Sequence, residues 1–230
     1  MTAAAASERP FILAIDGPAG AGKSTTARAV AAALGFAYLD SGALYRCIAL
    51  AALEKGIATD DDAALGDLAG SLAIRQTHDG RFELDGTDVT ARIRTPEVSQ
   101  AASRSSACPS VRKALISIQR GAVLPPGTVA EGRDIGTVIF PDADLKIFLD
   151  AEPKERASRR SLELAAKAAS PETIARVAEE MAERDLRDRT RAVAPLASAK
   201  DAIVMDTTNV PFREVVARIV FEVEKRRHPK

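Results

Sequence analysis

The sequence is short of the residues that staple or metallate a small fold. Its 230 residues include two cysteines, Cys47 and Cys108, and two histidines, His78 and His228. Two thiols so far apart make no disulfide framework and fit no zinc spacing, so they read as reduced, buried small side chains. A cytoplasmic location is expected on that ground. No apolar run approaches the ~18 residues that a spanning helix needs. Met1–Pro10 has neither the basic start nor the long apolar stretch of a secretory signal, and reads as a short disordered leader. Net charge is lacking too, because 32 Lys and Arg balance 32 Asp and Glu. A dedicated nucleic-acid or membrane-surface binder needs a basic surplus, so neither partner is expected. The zero is a cancellation: Glu54–Val89 carries nine acids against three bases, and Arg92–Arg133 seven bases against two acids. The single asparagine, Asn209, is followed by Val210-Pro211. That excludes the N-K-x-D element with which guanine-dependent switches read their base.

What is present is a chain long enough to bury roughly 70% of its unfolded surface. One domain with insertions is expected rather than two. Phe11–Asp16 is an apolar run of strand length ending in an acid. A Gly-rich turn follows, then a helix over Lys23–Leu34 stopped by Gly35, a strand over Phe36–Asp40 and a helix over Ser41–Glu54 with Ser41 as candidate N-cap. Beyond Asp60, the pieces Leu72–Gln76, Arg81–Leu84 and Thr87–Val89 are separated by Asp79-Gly80 and Asp85-Gly86, which signals hairpins. Ser110–Val123 reads as helix, broken by Pro125-Pro126-Gly127. Thr128–Glu131, Leu145–Asp150 and Ala202–Asp206 read as further strands. Pro153–Ala169 and Pro171–Arg191 are charged helices, each with proline at its start. The last helix carries Phe212, Val215, Val216, Ile219, Val220 and Val223 at i, i+3, i+4, i+7 spacing. Strands alternating with helices predict an α/β protein built on a central parallel sheet.

Gly17-Pro18-Ala19-Gly20-Ala21-Gly22-Lys23-Ser24 matches the P-loop pattern G-x-x-x-x-G-K-[ST] in full, with a strand before it and a helix after it. The glycines let the Gly17–Thr25 loop wrap a polyphosphate with successive backbone N–H groups pointing inward. The following helix adds its positive end. Lys23 supplies a charge to the β and γ groups of ATP, and the Ser24 hydroxyl is placed to ligate Mg²⁺. A Gly-rich turn that binds nothing is the bland alternative. Asp16 and Asp150, at strand ends, are the acids to consider beside Mg²⁺, although Asp16 also reads as a brace for the loop.

Arginine is the residue to follow for a second phosphate site, since its planar fork grips phosphate bidentately at any pH. Arginines number 23 against nine lysines, and a compositional preference accounts for most of them, so position decides. Three groups fall where a parallel sheet opens its ligand crevice, beyond strand C-termini. They are Asp40-Ser41-Gly42 with Tyr45 and Arg46, Glu131 to Thr137 with Arg133 and Asp134, and Arg184, Arg187, Arg189 and Arg191 with Asp185 and Asp188. A solvated, salt-bridged face is the alternative for each.

The P-loop together with Asp40-Ser41-Gly42-Ala43-Leu44-Tyr45-Arg46, Glu131-Gly132-Arg133-Asp134-Ile135-Gly136-Thr137-Val138-Ile139-Phe140-Pro141 and Arg189-Thr190-Arg191-Ala192-Val193-Ala194-Pro195-Leu196 resembles the bacterial cytidylate kinases. The last two stretches are far more specific than the P-loop, and the resemblance runs from about Phe11 to the last helix. It implies a single P-loop kinase domain, a three-layer sandwich around the parallel sheet. Its core would be 11–59, 105–150 and 192–228, with an antiparallel monophosphate-binding insertion over about 60–104 and a helical lid over about 152–191.

The implied reaction moves the γ-phosphoryl group of ATP to CMP or dCMP, with Mg²⁺ as cofactor and a monomer as the working form. Residue by residue, the resemblance puts Ser41, Arg46, Arg133 and Arg191 on the acceptor phosphate and neighbouring groups. It puts Arg184 and Asp188 near phosphate and sugar, and Ser103, Arg112 and Asp134 on cytosine. Lys23, Arg133 and Arg191 would neutralise the charge of the transferring group. Arg156, Arg159 and Arg160 are further candidates for touching ATP. Base reading makes physical sense, because a carboxylate accepts from the cytosine amino group whereas uracil would present it a carbonyl. An N-cap or a partner for Arg133 are the other roles open to Asp134. UMP, AMP or shikimate as acceptors, and a binding module without turnover, are the rival readings.

Overall fold

The computed structural model describes residues 9–77, 79–165 and 171–228. His78, the first eight residues of the expected leader and the end of the charged helix near Ala169 lie outside them. The chain begins with β1 (Phe11–Asp16), α1 (Lys23–Leu34), β2 (Ala37–Asp40), α2 (Ser41–Glu54) and α3 (Asp62–Ser71). Then come β3 (Ile74–Gln76), β4 (Phe82–Leu84), β5 (Thr87–Asp88), α4 (Pro96–Ser105) and α5 (Pro109–Gly121). It ends with β6 (Gly127–Gly132), β7 (Leu145–Asp150), α6 (Pro153–Ala165), α7 (Pro171–Thr190), β8 (Ile203–Asp206) and α8 (Phe212–Arg227).

Five parallel strands form the main sheet in the order β2-β6-β1-β7-β8. Alternate residues of a strand face opposite sides, and β1 shows what that does here. Leu13 and Ile15 bury against Ala27, Val30, Val215, Ile219 and Val223, on α1 and α8. Ala14 turns to the other face, where Leu39, Ile48, Leu65 and Leu115 lie. Helices therefore cover both faces, which is the three-layer arrangement that a run of parallel strands requires. Because β1 is central, the loop that leaves its end stands over the middle of the sheet. Phe212 is the one member of the expected α8 stripe left outside, at 46% exposure.

The antiparallel insertion is present as β3-β4-β5. It does not merely hang on the sheet: Ile74, Phe82, Leu84 and Val89 join the same buried cluster as Ile48 and Leu65. Gln76 also clips it to the open edge of β2, its amide donating to the Tyr38 carbonyl at 2.8 Å and accepting from the Asp40 N–H at 3.2 Å. Two helices, α3 and α4, have no counterpart in the sequence reading. Each has an ordinary N-cap: Asp61 accepts from the Ala64 N–H, and Thr95 from the Val98 N–H with Pro96 at the first turn. Gly66 and Gly70 blur the apolar pattern of α3. A Cβ at Gly66 would lie 2.5 Å from Ser110 Cβ, so the glycine is what lets α3 close onto α5. The N-cap of α2 is Asp40, whose side chain accepts from the Ala43 N–H, and not Ser41. That frees the Ser41 hydroxyl.

Candidate active site

The Gly17–Thr25 loop folds as a cradle because its glycines occupy conformations closed to other residues. Gly20 and Gly22 lie at φ 74° and 81°. Gly17 allows a close approach, since a Cβ there would sit 2.0 Å from the Leu149 carbonyl oxygen of β7. Lys23 is buried, and its Nζ donates to the Pro18 carbonyl at 2.7 Å. Burial, with Arg133 nearby, pushes its ammonium down to about 7. Ser24 Oγ donates to Glu131 Oε1 at 2.5 Å, and Tyr38 shares that oxygen at 3.1 Å. Burial, with Asp40 adding to it, pushes the Glu131 carboxyl up.

A cleft of about 330 Å³ opens above this loop, lined by Lys23, Ser24, Arg46, Arg133, Arg160 and Arg184 among others. A cavity of about 60 Å³ shares Arg46, Glu131, Arg133 and Arg184 with it and continues to Ser41, Tyr45, Arg112, Asp134, Asp188 and Arg191. At its end Asp134 Oδ2 accepts from Arg112, whose other amino group donates to the Ser106 carbonyl at 3.1 Å. Arg191 stands 3.7 Å from the opposite oxygen of Asp134. Asp134 therefore makes no partner for Arg133 and no side-chain cap. Arg133 instead donates to Asp188 at 3.0 Å. Burial works against the Asp188 charge, yet Arg133, Arg184 and Arg191 hold its carboxyl below the usual range.

Cation outweighs anion here. Burial and the neighbouring Arg133 push Arg184 down to about 9, still charged at neutral pH, and its Nε is buried without a hydrogen-bond partner. Arg191 Nη2 and the Tyr45 hydroxyl are likewise buried and unbonded, although the Arg112 guanidinium lies 5.4 Å from the Tyr45 ring centre. Native interiors rarely leave such donors unpaired, and a binding site is one of the places where they do. All three residues line the smaller cavity.

Not every residue singled out in the sequence is gathered here. Ser103 lines the larger cleft and not the smaller cavity that holds Arg112 and Asp134, and accepts from Arg187 Nη1 at 2.6 Å. Arg189 is exposed. Asp16 braces: it accepts from the Ile135 and Gly136 N–H groups at 2.8 and 2.7 Å, fixing the π-helical turn after β6. Asp150 is held by the Ala151 N–H. Among the arginines of α6, Arg160 reaches the cleft, whereas Arg159 donates to Thr207 and Thr208 and Arg156 is buried against Asp185. Among the lining residues, Arg94 was not singled out in the sequence, and Tyr45 was grouped with Arg46 without a role. Arg94, before α4, pairs with Asp40 at 2.9 Å, and Tyr45 offers its hydroxyl. Arg94 sits in a hairpin-rich stretch whose packing onto the core only the folded chain reveals.

The chain is similar to known proteins in sequence and in fold. The family model described as cytidylate kinase matches residues 13–225. A cytidylate kinase of Solibacter usitatus (strain Ellin6076) is 48% identical over 220 residues, covering 95% of this chain and 94% of that protein. One from Enterobacter sp. (strain 638) is 49% identical over 222 residues, 95% of each. In the fold alone, a solved uncharacterised protein of Eubacterium ventriosum ATCC 27560 is similar at a TM-score of 0.51 and 11% identity, over 93% of this chain and 98% of that one. With a nucleotide cradle, an arginine-rich cleft and sequence likeness running through both, the chain belongs to the cytidylate kinase family.

Proposed function

We propose that the protein transfers the γ-phosphoryl group of ATP to CMP or dCMP, giving ADP and CDP or dCDP. The observation that carries this reading is the small cavity: a buried carboxylate, Asp134, held by Arg112 and Arg191 beside unpaired donors on Tyr45, Arg184 and Arg191. A carboxylate has about four lone-pair sites. Asp134 can therefore keep Arg112 and still accept from the amino group of cytosine. Uracil in the same place sets a carbonyl against that carboxylate, a mismatch of about 1–3 kcal/mol.

On the donor side, the backbone N–H groups of Gly20 through Thr25 receive the phosphates, and Lys23 exchanges the Pro18 carbonyl for a phosphate oxygen. The polyphosphate restores the ammonium charge that burial weakens. Arg46, Arg133 and Arg191 hold the acceptor phosphate. Arg184 stands between the two nucleotides, and its unpaired Nε suits it to charge developing on the transferring group. Asp188 orients Arg133 and approaches the ribose. Ser41, released from capping duty, faces the acceptor. Mg²⁺ fits a donor set of hard oxygens, with Ser24 Oγ and Glu131 as the residues that would hold it. When bound it neutralises phosphate charge. Lid closure by α6 and α7 excludes water and so prevents hydrolysis. The acceptor is already an anion, so alignment and electrostatics suffice and no base is required.

The test is ADP release with ATP and a panel of CMP, dCMP, UMP, AMP and shikimate. CMP and dCMP are expected to give turnover well above the others. ADP release at buffer level with both, alongside turnover with another acceptor, overturns the reading.

A further inference from the structure

Two charged residues fasten the lid to the phosphate cradle without lining either cavity. Arg156 on α6 is 6% exposed and Asp185 on α7 is 7% exposed. The Ala19 N–H donates to Asp185 Oδ1 at 3.3 Å, and the Ala19 carbonyl accepts from Arg156 Nη1 at 3.0 Å. Arg156 Nη1 also donates to Asp185 Oδ2, and Arg156 Nε to the Ala151 carbonyl at 3.0 Å. Both backbone polar groups of Ala19 are thus held by two side chains that hold each other. Apolar contact closes the joint, since Ala19 packs on Ala157, Val177 and Met181. A Cβ at Gly20 would come within 2.8 Å of both the Arg156 carbonyl and Met181 Cε, so glycine is required there by the lid as well as by its φ.

The same two helices deliver arginines to the cleft. Arg160 follows Arg156 by one turn, and Arg184 and Arg187 flank Asp185; all three line the cleft. A buried ion pair is poor evidence of stability, because well-packed apolar residues of similar volume often do as well or better. Its directional bonds to a single loop residue serve geometry instead. We propose that Arg156 and Asp185 are positioning residues for phosphoryl transfer: they fix the distance between the Gly17–Thr25 cradle and the arginines of the lid. This rests on the donor-site reading given above. They act through Arg160, Arg184 and Arg187 and through the loop backbone, on the donor side of the cleft. Of these, Arg184 alone also lines the acceptor cavity.

Steady-state kinetics with ATP and CMP varied separately, beside thermal unfolding, test it. Asp185→Ala is expected to lower kcat on the order of 10²-fold, the usual penalty of about 1 Å of misplacement. It should also raise the KM for ATP several-fold, and by more than the KM for CMP. Asp185→Asn, which keeps an acceptor for the Ala19 N–H, should recover part of both losses. The double variant Arg156→Met/Asp185→Leu removes both charges and fills the space, so it folds even if the single alanine variant does not. It is expected to keep the wild-type unfolding temperature and show the defects of Asp185→Ala. A double variant with wild-type kcat and KM for ATP overturns the proposal, as does a loss of kcat that only tracks the fraction of folded protein. A wild-type protein unable to phosphorylate CMP would instead strike at the functional reading.

Discussion

The Gly17–Thr25 cradle and the pocket around Asp134 sit in one continuous cleft and are made from opposite materials. The cradle is consecutive backbone, shaped by glycines at positive φ and finished by one buried lysine. The pocket is mostly side chain, drawn from α2 (Ser41, Tyr45, Arg46), α5 (Arg112), the turn after β6 (Arg133, Asp134), α7 (Arg184, Asp188) and the residue that follows it (Arg191). Backbone N–H groups recognise phosphate and nothing else about a nucleotide. Side chains on separate elements can match one base edge against another. The contrast therefore divides the labour: damage to the cradle should slow every acceptor alike, and damage to the pocket should change which acceptor is preferred.

The strongest attempt to break that division is Lys23→Met, which keeps the buried stem and deletes the charge. Loss of one preorganised electrostatic donor is worth on the order of 10²–10³-fold in kcat. The fall should be equal with CMP and UMP, measured by ADP release. Unequal falls would mean the cradle also reads the acceptor. Next in size is Arg184→Met, at the seam. It should lower kcat/KM by about 10–100-fold, as expected for a charge-assisted phosphate contact of about 1.5–3 kcal/mol. The same change removes a buried guanidinium crowded by Arg133 and short of a partner, so the ligand-free variant should unfold at a higher temperature than wild type. A lower unfolding temperature would show that Arg184 is structurally paired after all.

The division also explains what could be read from sequence. A cradle of consecutive residues is written consecutively, so the Gly17–Ser24 pattern and its strand-helix context were legible without the fold. So was the parallel core, because each of its strands is a short apolar run between breakers. The pocket was legible only as scattered arginines and acids until the family likeness ordered them, since spacing along the chain does not say that Arg112 meets Asp134. The burial of Lys23 is not written in the motif, because the charges around it, Arg133, Glu131 and Arg184, come from distant parts of the chain. The helix α3 escaped because Gly66, a poor helix residue, is there for its contact with Ser110. Ser103 was placed with the base by likeness, and its contact with Arg187 depends on how α7 lies over α4.

On the pocket side, Asp134→Ala should reduce CMP use more than UMP use. The ratio of their kcat/KM values is expected to drop about 10- to 100-fold, the value of a 1–3 kcal/mol mismatch. An equal decline with both acceptors would reduce Asp134 to a support for Arg112. Tyr45→Phe is a finer probe, removing one oxygen whose hydrogen-bonding capacity the protein leaves unused. It should raise the KM for CMP by about tenfold at most, a net hydrogen bond of about 1 kcal/mol, with the KM for ATP unchanged. If the KM for ATP moves instead, the hydroxyl belongs to the cradle's half.

The smallest effect concerns the joint between the halves. Asp16 closes β1 just before the cradle and holds the turn that carries Asp134 in place, through the Ile135 and Gly136 N–H groups. Burial raises its carboxyl from 3.8 to about 6, against the pull of those two hydrogen bonds. A raised carboxyl binds its proton more tightly in the folded chain than in the unfolded one, so its contribution to stability is greatest below 3.8 and is lost as pH rises through about 6. Asp16→Asn removes that titration. The difference in unfolding free energy between wild type and variant, from denaturant curves at pH 5 to 8, should therefore shift against wild type as pH rises and level off above about 7. Curves that stay parallel across that range would mean that Asp16 is ionised in the folded protein throughout. The turn bearing Asp134 would then be anchored by a charge, and the two halves would be joined electrostatically and not by hydrogen bonding to a carboxyl that titrates.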